Sequence, residues 1–109
     1  MTQTVFWLAQ RATAAILAVC VVVHLATIIY AVQGGLTAAE ILGRTRGNTA
    51  WLVFYSVFIA AAAIHAPIGL RAVLGEWLNW RGIWREVFLV FFACTLLWLG
   101  LQAVIGVFA

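Results

Sequence analysis

Charge is what this chain has least of. Only 8% of its 109 residues are charged, against 67% that are hydrophobic. That balance excludes an ordinary water-soluble domain and reads as an integral membrane protein. The net charge of +3 is too small and too scattered for nucleic-acid binding, so its meaning is topological. Acidic residues are few: Glu40, Glu76 and Glu86 all fall between the long apolar runs. A small multidrug-type transporter, which needs an ionisable group in mid-membrane to couple protons to substrate, is disfavoured by that placement. Cysteines number two, Cys20 and Cys94, far apart and each inside an apolar run. With no CxxC pair, small buried hydrophobes are expected rather than a disulfide or a metal site. The N-terminus has neither an early basic region nor a small-residue cleavage site, so the first apolar run is expected to stay as a true span. There is no long tail, low-complexity tract or internal repeat.

What the chain does have is three long apolar runs, at 12–32, 50–70 and 87–109. At 1.5 Å per residue, about 20 residues cross the hydrocarbon core. The fold expected is an all-α membrane protein with three transmembrane helices in a single domain, 1–109. Residues 1–11 are amphipathic, with Phe6 and Trp7 suited to the interface and Gln10-Arg11 at its edge. Gly34-Gly35 ends the first run. The connector 36–48 is polar, with one short interfacial helix expected from Thr37. The connector 71–86, RAVLGEWLNWRGIWRE, is aromatic and basic, and Trp77, Trp80 and Trp84 read as an interfacial belt. Arg11, Arg71, Arg81 and Arg85 fall on one side and only Arg44 and Arg46 on the other. The positive-inside rule therefore predicts a cytoplasmic N-terminus and an outward C-terminus.

The only histidines, His24 and His65, both lie within apolar runs. An imidazole in hydrocarbon is costly and is expected to face protein or a cofactor. Small residues surround each at helical spacing: Cys20, Thr27 and Ala31 about His24, and Ala61, Ala62, Gly69 and Ala72 about His65. Such residues admit a close helix or a flat group, and Gly69 in particular clears area beside the His65 ring. Pro67 is expected to bend the run, and Arg71 stands at its end, within reach of the interface or a buried anion. The plain alternative for either histidine is a hydrogen bond across helices to a carbonyl or a threonine. Two histidines with no intramembrane carboxylate to pair with them favour haem iron. By depth, His24 falls in the outer half and His65 in the inner half, an offset of about 12 Å. Axial nitrogens on one iron lie only ~4 Å apart, given metal–nitrogen bonds of ~2 Å. Each histidine thus needs its partner from another chain, a second copy about a two-fold axis or a different small subunit.

The stretch His65-Ala66-Pro67-Ile68-Gly69-Leu70-Arg71, followed by Gly75-Glu76-Trp77, resembles the second-span pattern of the cytochrome b membrane-anchor subunits of succinate dehydrogenase and fumarate reductase, respiratory complex II. Gln10-Arg11-Ala12-Thr13-Ala14 is similar to that family's His-Arg-x-Ser/Thr-Gly at the start of its first span, with Gln10 where the histidine stands and Ala14 where the glycine stands. Trp7 falls where the family carries a quinone-pocket serine. The resemblance covers nearly the whole chain. It implies that His65 ligates haem b and that Arg11, with Gln10, lies near a quinone. A first-span histidine such as His24 is similar to the two-haem branch, which implies one or two haems b. Arg71 is then a candidate for a haem propionate, as are Arg44 and Arg46 for an outer haem, although simple topological charge suits those two better.

The implied function is that of a haem-bearing subunit, not catalytic alone, of a succinate:quinone oxidoreductase in the cytoplasmic (inner) membrane. It passes electrons between an iron–sulfur subunit and quinone. Implied partners are the flavoprotein and iron–sulfur subunits, a second membrane anchor and lipid, with Arg81, Arg85 and the tryptophans as a docking surface. The rival reading is a haem-free structural subunit of a larger membrane complex, its histidines merely bridging helices.

Overall fold

The computed structural model describes residues 3–109, and within them the chain is helical apart from short links. Four helices follow in order: α1 Gln3–Gly34, α2 Ala38–Thr45, α3 Thr49–Trp77 and α4 Ile83–Phe108. α1, α3 and α4 are each long and apolar enough to cross a membrane. The molecule measures 48 × 23 × 23 Å, and its long axis matches a bilayer with headgroups included, ~40–45 Å. This is a three-helix, multi-pass membrane architecture.

The helices overrun the apolar runs. α1 takes in the amphipathic N-terminal segment from Gln3 onward without a break, Met1 and Thr2 lying outside the described residues, and α3 continues through Arg71 to Trp77. Most of the expected connector 71–86 is therefore helix, and only residues 78–82 turn the chain. Hydropathy marks where lipid ends; a helix stops where the backbone is made to leave it. Here Asn79 does so at φ 51°, and the Trp80 N–H reaches back to the Leu74 carbonyl, 3.0 Å away. α3 also runs unbroken through Pro67.

α2 is the short helix expected from Thr37. Its start is a reciprocal cap: the Thr37 hydroxyl accepts from the Glu40 N–H, while the Glu40 carboxylate accepts from the Thr37 N–H. Those bonds hold the exposed Glu40 carboxyl below its ordinary value. α2 in turn closes the far end of α4. The last carbonyls of a helix have no partner within it, and three of them are met from the neighbouring segment. Thr45 Oγ1 donates to the Val107 carbonyl at 2.8 Å, the Gly47 N–H to Phe108 at 2.9 Å, and Arg46 Nε to Ala109 at 2.7 Å.

α3 is the shared wall. It packs against α1 on one side and α4 on the other, while α1 and α4 share no comparable interface. The buried apolar residues are few: Cys20, Ala61, Leu74, Leu89 and Val104. Large side chains such as Val22, Phe91 and Trp98 point outward, as lipid-facing residues do. Cys94, expected to be buried like Cys20, is exposed. In lipid the outer face is as apolar as the inner one, so a thiol has no need of the interior. Close helix approach depends on two glycines. A Cβ at Gly69 would come within 3.2 Å of Gln10 Nε2 of α1, and one at Gly100 within 2.5 Å of Ile59 Cγ2 of α3.

Candidate functional site

Each histidine stands at a crossing of α1 and α3. His65 Nδ1 lies 3.2 Å from Thr13 Oγ1. Thr13 is buried, and its hydroxyl proton is directed to the Ala9 carbonyl at 2.7 Å, one turn earlier. A hydroxyl has one proton and two lone pairs, so Thr13 accepts here and His65 Nδ1–H donates. That fixes the tautomer and leaves the lone pair on Nε2. Among the described residues Nε2 makes no hydrogen bond, and it is not sealed from its surroundings. An imidazole anchored through Nδ1–H with a free Nε2 is the form in which histidine ligates a metal. It is also what a bridging histidine looks like.

His24 is held differently. The Tyr55 hydroxyl lies 3.4 Å from its Nδ1, and the rings of Tyr55 and Phe58 both pack against it edge-on, at 5.8 and 5.6 Å between centroids. From Thr13 to His24 along α1 is roughly 16 Å at the helical rise. The two histidines thus occupy different depths, and one iron cannot take both.

The other residues singled out by sequence divide into two groups. Gln10, Gly69 and Arg71 line one cavity of about 260 Å3, together with Phe6, Trp7 and Ile68. The space beside Gly69, expected to lie open for a planar group, is where the Gln10 amide sits. Gln10 Oε1 is buried with no hydrogen-bond partner, and among the described residues it is the one such side-chain atom. Arg71 stacks over Phe6 at 4.8 Å and donates from Nε to Glu86 Oε1 at 3.1 Å. Arg11 stands outside this cavity, on the exposed face of α1, with its guanidinium 5.3 Å from the Trp7 ring.

At the same end Trp77 and Trp84 are strongly exposed, consistent with a belt, while Trp80 stacks on Phe88 at 5.5 Å. Arg81 and Arg85 fold back on the chain. Arg81 Nη2 donates to the Gly75 carbonyl at 3.2 Å, and the buried Arg85 donates to Glu86 Oε1 at 2.7 Å. Arg85 is therefore structural rather than free for docking. Sequence reasoning missed Thr13 and Tyr55 as histidine partners. A threonine and a tyrosine inside apolar runs were the available signal, but pairing them with the right imidazole needs the α1–α3 register. Comparison with family models, curated proteins and solved structures returns no match.

Proposed function

We propose that this chain is a haem b-bearing membrane anchor, carrying electrons between an iron–sulfur partner and membrane quinone in a succinate:quinone oxidoreductase. The observation that supports it most is the His65–Thr13 contact: with the Thr13 hydroxyl proton on the Ala9 carbonyl, Nδ1–H donates to Thr13 and Nε2 keeps a lone pair without a partner. This chain would supply one histidine to such a haem, and a second ligand would have to come from another subunit, a further copy or a different small anchor. Bis-histidine haem exchanges electrons and leaves no iron position open for oxygen. In this chain His65 would hold the haem iron through Nε2, and Thr13 would set the orientation of the ring. Arg71 is held to Glu86 through Nε alone, so its two Nη groups would be available to a propionate.

A quinone headgroup is assigned to the cavity beneath Gln10. Gln10 lines that cavity and its amide oxygen lacks a donor, which a quinol hydroxyl would supply once the amide turns toward the cavity, and Phe6 and Trp7 offer flat apolar walls. The haem-free structural reading also has an observation in its favour, since the His65–Thr13 contact is the cross-helix bond such a subunit would use.

One measurement separates the two. A reduced-minus-oxidised spectrum of the purified complex is expected to show a b-type band that His65→Ala abolishes and His24→Ala leaves in place. Absence of the band in the unaltered protein rejects haem and leaves the structural reading. Co-purification with a flavoprotein and an iron–sulfur protein tests the assignment to a succinate:quinone oxidoreductase.

A further inference from the structure

At the α2 end of the molecule lies a second cavity, of about 640 Å3, walled by all four helices. We propose that it binds one acyl chain of an anionic phospholipid, with the lipid phosphate on Arg44. Its walls are aliphatic and aromatic, with Ile28, Ile59, Val104 and Val107 among them. Its volume lies within the range of small-molecule sites, ~300–1,000 Å3.

The depth matches one lipid leaflet. Arg44 marks the mouth, since its Nη1 lies 3.4 Å from where a Cβ on Gly34 would be. The His24–Tyr55 pair lines the deep end, roughly 15 Å down α1 at the helical rise. Half of a ~30 Å hydrocarbon core is the same length.

The charge selects the headgroup. Arg44 stacks over Tyr30 at 5.7 Å and donates one N–H to the Gly35 carbonyl at 2.8 Å. The rest of its guanidinium makes no hydrogen bond or ion pair among the described residues. Glu40, one turn before it, is engaged in capping at Thr37. A cation at the mouth of an apolar slot suits an anion with a hydrocarbon tail. The cavity is open to its surroundings rather than enclosed, so a second chain can remain in the bilayer. Haem is a poorer occupant, because His24 Nδ1 is engaged by the Tyr55 hydroxyl and the Tyr55 and Phe58 rings pack edge-on against the imidazole. The proposal depends on neither the haem nor the quinone reading.

The test is native mass spectrometry of the delipidated complex, offered phosphatidylglycerol or phosphatidylcholine with identical chains. One phosphatidylglycerol per copy of this chain is expected, retained at least tenfold better than phosphatidylcholine. Arg44→Gln should erase that preference, and Ala103→Phe, which fills the cavity, should abolish retention. Ile105→Phe, on an exposed face outside the lining, should change nothing, and circular dichroism checks that each variant stays helical. Equal retention of the two lipids overturns the proposal. So does full retention by Ala103→Phe, loss in Ile105→Phe, or retention of palmitate in place of phospholipid.

Discussion

Thr13 carries more of the proposed chemistry than its place in an apolar run suggests. It converts His65 from a residue with two equivalent tautomers into one whose free nitrogen is defined. Removing such an orienting partner typically costs 10–100-fold in metal affinity. Thr13→Val is therefore expected to lower haem retention in purified complex by about that factor, measured by pyridine haemochrome assay, while Thr13→Ser keeps it. Glu86 offers a second test at this scale. Its Oε1 accepts from Arg71 and twice from Arg85, whose side chain is only 10% exposed. Glu86→Gln leaves that guanidinium poorly compensated, and a loss of about 1–3 kcal/mol is expected in detergent unfolding. The residues that stood out in sequence did so because they are rare in hydrocarbon, and rarity identified both histidines. It gave no partners, because Thr13 and Tyr55 are ordinary polar interruptions until two helices are set in register. Gly69 shows the converse: its small size was legible, but what fills the space, the Gln10 amide of α1, was not.

Between elements, α3 and α4 approach closely at Gly100. A methyl group added there meets Ile59 at 2.5 Å, and a branched aliphatic side chain between two helices has little room to retreat. Gly100→Ala is expected to destabilise the protein by about 1–3 kcal/mol, with Ile59→Ala restoring part of it. Gly69→Ala should be milder in the same thermal melt, because the opposing atom is the end of a flexible side chain. α2 gives a pH-dependent counterpart. Glu40 titrates below 4.5 in the folded protein because Thr37 hydrogen bonds favour its charged form. Its contribution is complete above 4.5 and is lost as the pH falls through the lowered value. Amide protection across 38–45, corrected for the intrinsic exchange rate, is therefore expected to fall selectively as the pH drops below 4.5, and Thr37→Ala, a cap loss of ~1 kcal/mol, to lower it at neutral pH. The number and order of helices were legible because hydropathy and the Gly34-Gly35 stop are local signals. Their ends were not, because Gln, Arg and Trp at an interface are still good helix residues.

The whole molecule has a thin interior and an apolar exterior, so the surrounding lipid, rather than a packed core, covers most of its large side chains. With three crossings the two ends lie on opposite faces, and the distribution of arginines predicts which is which. A reporter placed before Met1 should be protected from external protease in intact cells and one placed after Ala109 cleaved; the reverse pattern would invert the assignment of both cavities to their leaflets. The order of synthesis adds a consequence to the way α2 is held. Thr45, Arg46 and Gly47 are fastened to carbonyls of residues 107–109, some sixty positions later in the chain. Those acceptors do not exist while the ribosome is still making α4. The α2 segment therefore stays undocked until α4 has been made, and the chamber beneath it is roofed only then.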